Sequence, residues 1–542
     1  MSTKRLTRRE FLRASALTTV GVLAAACAPA IPAARPATEP TSASPAATSA
    51  PAVKATSGPK YGGTLRIGFA DGLDLGYPPD LQRLNDYFNG RPAVESLGRY
   101  DDKGQMSPWL AESWKTDANA KTMTITLKKG IKFHDGTDFN AEAVKWNLEQ
   151  IASSGREELK SVQSVEVVDD STVRVNLREW DNGIVISVCY FGGPMVSPTA
   201  FKAHDKNWAV AHPVGTGPFQ FVSWERDVAV KYKKFDGYWQ KGKPYLDTLE
   251  LRVIADPMVA LAAYKAHEVD MLGGISPKDA KGLEQSGNQV ISLKTGLGAA
   301  MFSVLGDSIH PSSPFADIKV RQAISYAIDG KAMVDALYDG AGITTNQWGV
   351  PTNWAFDPTV KGYPYNPDMA KQLLAQAGHP NGFQTKLFGY NTADSMQQMT
   401  AVQGFLSKVG IDVQLQPMES AAFKQLQNTG WSDGMACQTI RADSNVVLQM
   451  GRVVSSSGVL LTKGIMHPEK IDKLIAQARS APDQDSRAAL THELQRTIFD
   501  EFCIFTPLFV TVNMSVKYPA VHNDGINVTE ATEWTPEEAW MG

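Results

Sequence analysis

The residues that could carry out catalysis occur singly, without the partners that a reaction would need. His134 precedes Asp135, but Asp135-Gly136 after a strand-like run is first of all a turn signal. His492-Glu493 lacks the second histidine of a His-Glu-x-x-His zinc helix. Gly215-Thr216-Gly217 lacks the third glycine of a dinucleotide loop, and the proline that follows would obstruct the helix that must start there. We therefore predict that the protein is not an enzyme and that it needs no cofactor.

Metal-ligating side chains give no stronger signal. The nine histidines are scattered, and no two of them have the spacing of ligands on one helix. A site assembled from distant residues, such as His310 and His379, remains an alternative, but we predict no metal. The four cysteines include Cys27, which belongs to the leader described below; the others are Cys189, Cys437 and Cys503. At most one disulfide can form among these three, and the sequence leaves open whether any two of them pair.

Residues 1–27 have the order of a bacterial export signal. Arg8-Arg9 is a twin-arginine pair, the stretch from Ala14 to Ala26 contains no charge, and a run of alanines leads into Cys27. The uncharged stretch is shorter than the ~20 apolar residues of a spanning helix, so we predict a signal that is removed. Small residues before a cysteine are typical of a lipobox, and we expect Cys27 to be lipidated. The alternative is a soluble exported protein in which Cys27 is buried.

Residues 28–59 are rich in Ala, Pro, Ser and Thr and have almost no large apolar side chain. They predict an extended tether rather than a packed domain. The whole chain has 43% hydrophobic and 20% charged residues, which is typical of globular proteins. Its net charge of −4, with basic residues dispersed after the leader, argues against nucleic-acid binding.

Strands and helices alternate along the rest of the chain. Apolar residues alternate with polar ones at Met123, Ile125 and Leu127, which predicts a half-buried strand, and they do so again at 173–177. Helices are predicted where a capping residue stands before or near a proline. These starts are Asp256-Pro257, Ser276-Pro277, Asn366-Pro367 and His467-Pro468. The mixture predicts an α/β or α+β architecture that must position any binding residues.

Five sequence blocks between residues 107 and 329 occur in an order that is typical of one family. The blocks are SPWLAESW at 107–114, LKKGIKFHDGT at 127–137, PVGTGPF at 213–219, YW at 238–239 with KPYLD at 243–247, and VRQAISYAID at 320–329. Together they resemble the large extracytoplasmic solute-binding proteins of ABC importers for dipeptides, oligopeptides and nickel. The resemblance covers most of residues 61–515, and it implies capture of a solute without any chemistry on it.

The resemblance also implies a fold. It is an α/β fold of two lobes, the periplasmic-binding-protein fold of class II and of the large peptide-binding type, with an extra inserted domain. The implied first lobe comprises 60–95, 214–304 and 507–542, the extra domain 96–213, and the second lobe 305–506. The chain would cross between lobes near Phe302-Ser303 and Thr506-Pro507, and the lobes would close over a ligand. The family expectation is a monomer that delivers its ligand to the permease subunits of an ABC transporter.

A peptide-like ligand is the class that the resemblance favours, with an oligosaccharide, an opine or a metal chelate as alternatives. Relatives often carry Asp-Tyr-Pro-Asp-Pro after a Gly-Trp pair, where an acid can hold an ammonium group. Here Gly430-Trp431 is followed by Arg441 and Asp443 instead. The ligand-binding residues that we expect are Trp348, Trp354, Arg441, Asp443, Tyr190, Phe302, Tyr390 and Asn391, the last four from strand-end position only. A solvated Arg–Asp pair and ordinary packing of the two tryptophans are the competing interpretations.

Two functions from other classes also remain as alternatives. A secreted, lipid-anchored hydrolase would need a nucleophile with a base, and the sequence offers no such pair. A structural or adhesion lipoprotein would need no ligand at all. Turnover of an ester or peptide would favour the first alternative, and the absence of ligand-dependent compaction would favour the second.

Overall fold

The computed structural model describes residues 58–69, 75, 88–100, 105–292, 299–442, 445–526, 534 and 536–542. The predicted signal peptide with Arg8, Arg9 and Cys27 lies outside these residues, as do Asp443 and all but the last two residues of the predicted tether. No helix within the described ranges combines the length and apolar character that crossing a bilayer requires.

A seven-stranded mixed sheet, which we call the first sheet, contains the beginning of the described chain. Its order is Gln289–Ser292, Met514–Lys517, Met271–Gly273, Thr64–Phe69, Thr248–Val253, Ala229–Lys234 and Phe219–Glu225. Thr64–Phe69 is parallel to Thr248–Val253 and to Met271–Gly273, and the other pairs are antiparallel. Its helices are Pro257–Lys265 and Pro277–Gln285. Leu65 and Ile67 point into the core, which fits the period of two of a strand.

A six-stranded sheet, the second sheet, is built mainly from the later half of the chain. Its order is Gly342–Thr344, Thr506–Thr511, Ala299–Gly306, Gly434–Ala442, Gln384–Tyr390 and Asp412–Met418. Helices cover both of its faces: Ile318–Ala327, Gly330–Tyr338, Pro367–Gln376, Ala393–Ser407, Ser420–Thr429, Val446–Val454, Glu469–Ser480 and Gln484–Arg496. Met301 and Leu305 belong to the core on one face, whereas Phe302 and Val304 belong to the core on the other.

A four-stranded antiparallel sheet, the third sheet, lies between strands of the first sheet along the chain. Its order is Ala111–Asp117, Thr122–Leu127, Thr172–Leu177 and Val162–Asp169. Helix Ala141–Ser153 packs on it, and the predicted stripe of Met123, Ile125 and Leu127 is buried against that helix's side. The shorter helices here are Ile184–Ile186, which continues into the π-helical turn Ser187–Phe191, then Pro198–Ala203 and Lys206–Ala211.

Two small antiparallel pairs complete the described strands: Gly98–Tyr100 with Met106–Pro108, and Val521–His522 with Trp540–Met541. We call the first sheet with its helices the first lobe and the second sheet with its helices the second lobe. The third sheet with the segments around it, within 96–213, is called the extra domain.

The capping signals identify helix starts correctly at three of the named positions. Asp256 accepts from the backbone N–H groups at the start of Pro257–Lys265, and Ser276 and Asn366 cap Pro277–Gln285 and Pro367–Gln376 in the same way. The fourth start differs. Helix Glu469–Ser480 begins one residue after Pro468, which is itself the N-cap residue and has no side chain that can accept a hydrogen bond.

The expected crossings between lobes fall inside strands of the second sheet. Phe302-Ser303 lies in Ala299–Gly306, where the pairing register shifts, and Thr506-Pro507 begins Thr506–Thr511. The sequence-based limits assign 299–304 and 507–511 to the first lobe, whereas hydrogen bonding places these strands beside Gly434–Ala442 and Gly342–Thr344. We therefore propose that the second lobe spans about 299–511, and we keep the other limits as predicted.

Candidate functional site

Three of the five sequence blocks that carry the family resemblance donate hydrogen bonds to one buried carboxylate. Glu95 Oε1 accepts from Trp109 Nε1 at 2.8 Å and from the Tyr238 hydroxyl at 2.9 Å. Its Oε2 accepts from Thr216 Oγ1 at 2.8 Å and from Trp239 Nε1 at 3.0 Å. These donors come from the blocks at 107–114, 213–219 and 238–239, so the blocks build a joint between the first lobe and the extra domain. We call these five residues the Glu95 joint.

Burial dominates the electrostatics of the Glu95 joint. Removal from water raises the pKa of Glu95 to about 7, and the four hydrogen bonds oppose this shift only in part. Lys128 lies with Nζ 4.6 Å from the centre of the Trp239 ring, and burial lowers the pKa of this lysine despite the attraction of Glu95. The Arg99 guanidinium stacks 3.5 Å from the centre of the Trp109 ring. The joint is therefore saturated by protein groups and has the character of a structural element.

Two glycines allow the Glu95 joint to close. A Cβ at Gly215 would lie 2.2 Å from the Ala93 carbonyl oxygen, and one at Gly217 would lie 2.5 Å from that of Pro92. Their backbones must approach the backbone at Pro92 and Ala93 more closely than any side chain permits. The glycines of this block thus serve close packing, which agrees with our rejection of a dinucleotide loop.

His134 and Asp135 are not a catalytic pair. His134 Nε2 contacts the Gly217 carbonyl oxygen at 2.9 Å, and burial lowers the pKa of its imidazole to about 4. Asp135 accepts from Ser197 Oγ at 2.5 Å and from the Thr137 hydroxyl and N–H groups. With Gly136 at φ +83°, the segment is the turn that the Asp-Gly signal predicts.

The predicted ligand residues Trp348, Arg441 and Trp354 lie in one neighbourhood of the second lobe. Trp348 is fully buried, and its Nε1 donates to the Arg441 carbonyl oxygen at 3.1 Å. Gln495 Nε2 donates to the carbonyl oxygens of Trp348 at 2.7 Å and Ala355 at 3.0 Å, which fixes this loop to helix Gln484–Arg496. Trp348 therefore holds the backbone at Arg441 through this hydrogen bond. Trp354 and Arg441 are half-buried and retain exposed surface.

The other predicted residues are spread over three places. Tyr390 is the last residue of the strand Gln384–Tyr390, and its ring centre lies 4.6 Å from that of Phe423. The exposed Asn391 follows this strand and donates to Glu419 Oε1 at 2.5 Å. Phe302 is buried on the opposite face of the second sheet from Trp348 and stacks 5.2 Å from Phe509. Tyr190 is buried in the extra domain, with the Arg91 guanidinium 4.9 Å from its ring centre.

Sequence reasoning missed the residues that bring the extra domain to the second lobe. Arg487, in helix Gln484–Arg496, donates from Nη2 to Asn445 Oδ1 at 2.9 Å and from Nη1 to Asn182 Oδ1 at 3.4 Å. Its guanidinium carbon also lies 5.0 Å from the Trp354 ring centre. The available signal was Asn182-Gly183, a turn pair directly after Asp181, but nothing in the sequence links it to residues some 300 positions later.

A cleft of about 800 Å³ lies at this boundary. It is lined by 160–161 and 178–181 of the extra domain and by parts of 448–480 of the second lobe. Among the described residues no cluster of three His, Cys, Asp or Glu side chains has the arrangement of a metal site. His310 Nδ1 contacts Asp307 Oδ1 at 2.7 Å, and His379 packs against Phe383. Cys189, Cys437 and Cys503 are buried free thiols whose pKa is raised by burial.

Comparison with known proteins identifies the family. Residues 105–438 match the model of bacterial extracellular solute-binding proteins, family 5, middle region. The chain is 35% identical over 336 residues to the glutathione-binding protein GsiB of Shigella flexneri, covering 60% of this chain and 64% of that protein, which is just under two thirds of its length. It is 31% identical over 433 residues to GsiB of Shigella dysenteriae serotype 1, covering 75% of this chain and 81% of that protein.

A solved structure supports the same fold. The ABC transporter-associated periplasmic binding protein DppA from Helicobacter pylori, in complex with the peptide STSA, has a TM-score of 0.73 at 22% identity. The match covers 89% of this chain and 99% of the DppA chain. The predicted two-lobed α/β fold is thus confirmed. The chain belongs to the bacterial extracellular solute-binding proteins of family 5.

Proposed function

We propose that the protein is a lipid-anchored receptor that captures a peptide-like ligand between its two lobes and delivers it to the permease subunits of an ABC importer. The observation that carries this proposal is the 31% identity to a glutathione-binding protein over 81% of that protein's length. Glutathione is itself a short peptide, and the structural relative DppA holds the peptide STSA. The receptor leaves its ligand chemically unchanged in this proposal, which is supported by the match to a family of solute-binding proteins.

The ligand-binding residues that we propose lie on the side of the second lobe that faces the extra domain. Trp354 and Arg441 are half-buried there, and Asp443 follows Arg441 by two positions. A peptide offers an ammonium group for a carboxylate, a carboxylate for a guanidinium and apolar side chains for an aromatic face. Tyr390 and Asn391 at the end of Gln384–Tyr390 extend this proposed surface. Trp348 is buried next to Arg441, and we propose that it supports this surface rather than contacts the ligand. Tyr190 and Phe302 are buried elsewhere, and we propose that they do not contact the ligand.

A thermal-shift screen tests the ligand class. Purified protein is mixed with reduced glutathione, with Ser-Thr-Ser-Ala or with cellobiose at equal concentrations. A cognate ligand at a hundredfold excess over Kd stabilises the folded state by about 2.7 kcal/mol through mass action. We expect a shift with a peptide and none with the sugar. A shift with cellobiose alone would overturn the peptide class in favour of an oligosaccharide.

Enzymatic turnover is tested on the same samples. The peptide recovered from a saturated complex after overnight incubation should have its starting mass. Cleavage that depends on the protein would favour the hydrolase alternative instead.

Export and anchoring are tested in cells. Replacing Arg8 and Arg9 by Lys should leave unprocessed precursor in the cytoplasm, because the twin-arginine pair is the expected address. Cys27→Ser should release the mature body from the membrane fraction, because no lipid can then be attached. Normal surface display of the first variant, or membrane retention of the second, would contradict these parts of the proposal.

A further inference from the structure

The extra domain contacts the second lobe through residues 180–183. The Asn182 backbone N–H donates to the Arg479 carbonyl oxygen at 2.8 Å. Asn182 Nδ2 and Trp180 Nε1 both donate to the Ala481 carbonyl oxygen, at 2.8 and 3.0 Å. Arg479 Nη2 pairs with Asp181 Oδ2 at 2.7 Å. We call residues 180–183, together with Arg479, Ala481 and Arg487, the Asn182 contact.

Arg487 extends the Asn182 contact into the second lobe. Its side chain is 3% exposed, and it donates to the amide oxygens of Asn182 and Asn445. Burial lowers the pKa of Arg487 to about 10, against the attraction of Asp181. Because neutral amide oxygens stabilise a buried guanidinium less than a carboxylate does, this charge depends on both of its amide partners. Loss of Asn182 would remove one of the two.

The Asn182 contact is polar, whereas each lobe keeps its own apolar core. Trp180 packs against the core of the extra domain and Trp354 against that of the second lobe, and these two cores are separate clusters in the described part of the chain. Hydrogen bonds and a half-exposed ion pair can be exchanged for bonds to water at small net cost. A contact of this composition can therefore open and close without unfolding either side.

Asn445 places the Asn182 contact beside the proposed ligand surface. It precedes helix Val446–Val454 and follows Asp443 by two positions, and Gly183 approaches it so closely that a Cβ would lie 3.0 Å from Asn445 Nδ2. Movement of the 180–183 segment would therefore change what Arg487 and Asn445 can bind.

We propose that Asn182 and Arg487 are positioning residues for closure, which tie the extra domain to Asn445 beside the proposed ligand surface. The inference rests on the proposed receptor function and adds to it a role for the extra domain. When the contact forms, Arg487 holds Asn445 in place; when it opens, Arg487 loses one acceptor and its buried surroundings. By linkage, a ligand that binds beside Arg441 and Asn445 favours the contact, and the contact in turn slows release of the ligand.

The first experiment needs no ligand. Spin labels are attached to Val168→Cys in the third sheet, where the side chain is 49% exposed, and to Lys473→Cys on Glu469–Ser480, where it is 67% exposed. Both labels are introduced in the Cys27→Ser background, and the native cysteines at 189, 437 and 503 are buried and should not react. Distances are measured by double electron–electron resonance. We expect a short-distance population whose ratio to the open population falls about fivefold or more with Asn182→Ala, because hydrogen bonds on both sides of the amide are lost.

Matched variants separate positioning from folding. Lys331→Ala removes an exposed ion pair with Asp335 in the second lobe and should leave the distances between the spin labels unchanged. Asn182→Asp keeps an acceptor for Arg487 but loses the Nδ2 donor to Ala481, so it should reduce the short-distance population less than Asn182→Ala does. Arg487→Lys cannot reach both amides and should reduce it as Asn182→Ala does. The urea midpoint of ligand-free Asn182→Ala should match that of the parent. Identical distance distributions for parent and Asn182→Ala would overturn the inference.

Ligand kinetics distinguish failure of the inference from failure of the proposed function. With reduced glutathione as the probe, dissociation from Asn182→Ala should be at least about fivefold faster than from the parent, with an association rate within about twofold. Glutathione binding with equal dissociation rates would sink the inference and leave the receptor function standing. If the parent binds no peptide but the distances respond to Asn182→Ala as expected, the ligand class fails and the positioning role stands.

Discussion

Two contacts of the extra domain with the rest of the protein, the Glu95 joint and the Asn182 contact, use similar polar groups in different surroundings. At the Glu95 joint, a buried carboxylate receives four hydrogen bonds from indole, phenol and hydroxyl donors. At the Asn182 contact, amides and a half-exposed ion pair connect the other end of the domain to the second lobe. Because the Glu95 joint is buried, breaking it costs a large free energy. At the Asn182 contact, water can replace the hydrogen-bond partners. We infer that the extra domain moves with the first lobe and separates from the second.

The largest effect is expected from Glu95→Gln. The new amide NH2 group can accept no hydrogen bond, so the buried donors that now bind this oxygen of Glu95 would lose their acceptor whether the carboxyl group is protonated or ionised. We expect a loss of roughly 2–4 kcal/mol in the free energy of unfolding, measured by urea titration of the ligand-free protein. Glu268→Gln, the same change at an exposed position, should cost less than about 0.5 kcal/mol. Equal costs for the two variants would show that the Glu95 joint is not what holds the extra domain.

The pH dependence of stability should carry the signature of Glu95. Its folded pKa of about 7 is above the ordinary value of 4.5, so the folded state binds a proton more tightly than the unfolded chain does. The contribution is therefore fully present below pH 4.5 and is lost as the pH rises through about 7, by up to about 3 kcal/mol. His134 has the opposite effect on stability, because its folded pKa is lowered to about 4. Its contribution increases as the pH rises from about 4 to 6.5.

Comparison of parent and Glu95→Gln isolates the glutamate from the histidine. The difference in unfolding free energy between the two proteins should shrink as the pH rises from 5 to 8. A difference that is constant over this range would mean that Glu95 is ionised throughout.

A Gly→Ala substitution at the Glu95 joint and another at the Asn182 contact test the difference between these two contacts. Gly215→Ala places a Cβ 2.2 Å from a backbone oxygen that cannot move aside, and we expect it to cost about 1–3 kcal/mol of stability. Gly183→Ala meets the end of the Asn445 side chain at 3.0 Å, which can rotate away. It should leave the urea midpoint unchanged and reduce the short-distance population described above. A stability loss at Gly183 as large as that at Gly215 would contradict the distinction.

The smallest effect is expected from the ion pair of the Asn182 contact. A double-mutant cycle with Asp181→Asn and Arg479→Gln should give a coupling below about 1 kcal/mol in the ligand-free protein, since the side chains are 19% and 37% exposed. The coupling should weaken further at high salt. The exposed pair of Lys331 and Asp335 is the matched control. A coupling of several kcal/mol would indicate a permanent interface.

Local sequence signals predicted local structure well. The capping residues Asp256, Ser276 and Asn366 mark helix starts because a cap is a contact within one turn of chain. The five sequence blocks were also interpreted correctly as a family signature, yet the side chains in them that the structure places serve packing. Arg321 of the last block, for example, donates to the carbonyl oxygens of Phe315, Ala316, Phe502 and Cys503.

Contacts between distant segments could not be predicted in the same way. Glu95 stands in an apolar run, which signals a buried acid, but its donors lie up to 144 positions away. Phe302 was expected at a strand end, but it lies inside Ala299–Gly306. This strand is buried on both faces, so alternation does not tell which face a side chain occupies. Arg487 and Asn182 resemble ordinary surface residues in the sequence, and only the fold brings them together.

Native mass spectrometry of the protein purified from cells tests the central claim, capture of a peptide without chemistry, most directly. We expect one small peptide bound per chain. A peptide added to the protein should be recovered with its starting mass when the protein is denatured. A saccharide in its place would contradict the ligand class, and recovery of cleavage products from an added peptide would contradict the receptor function itself.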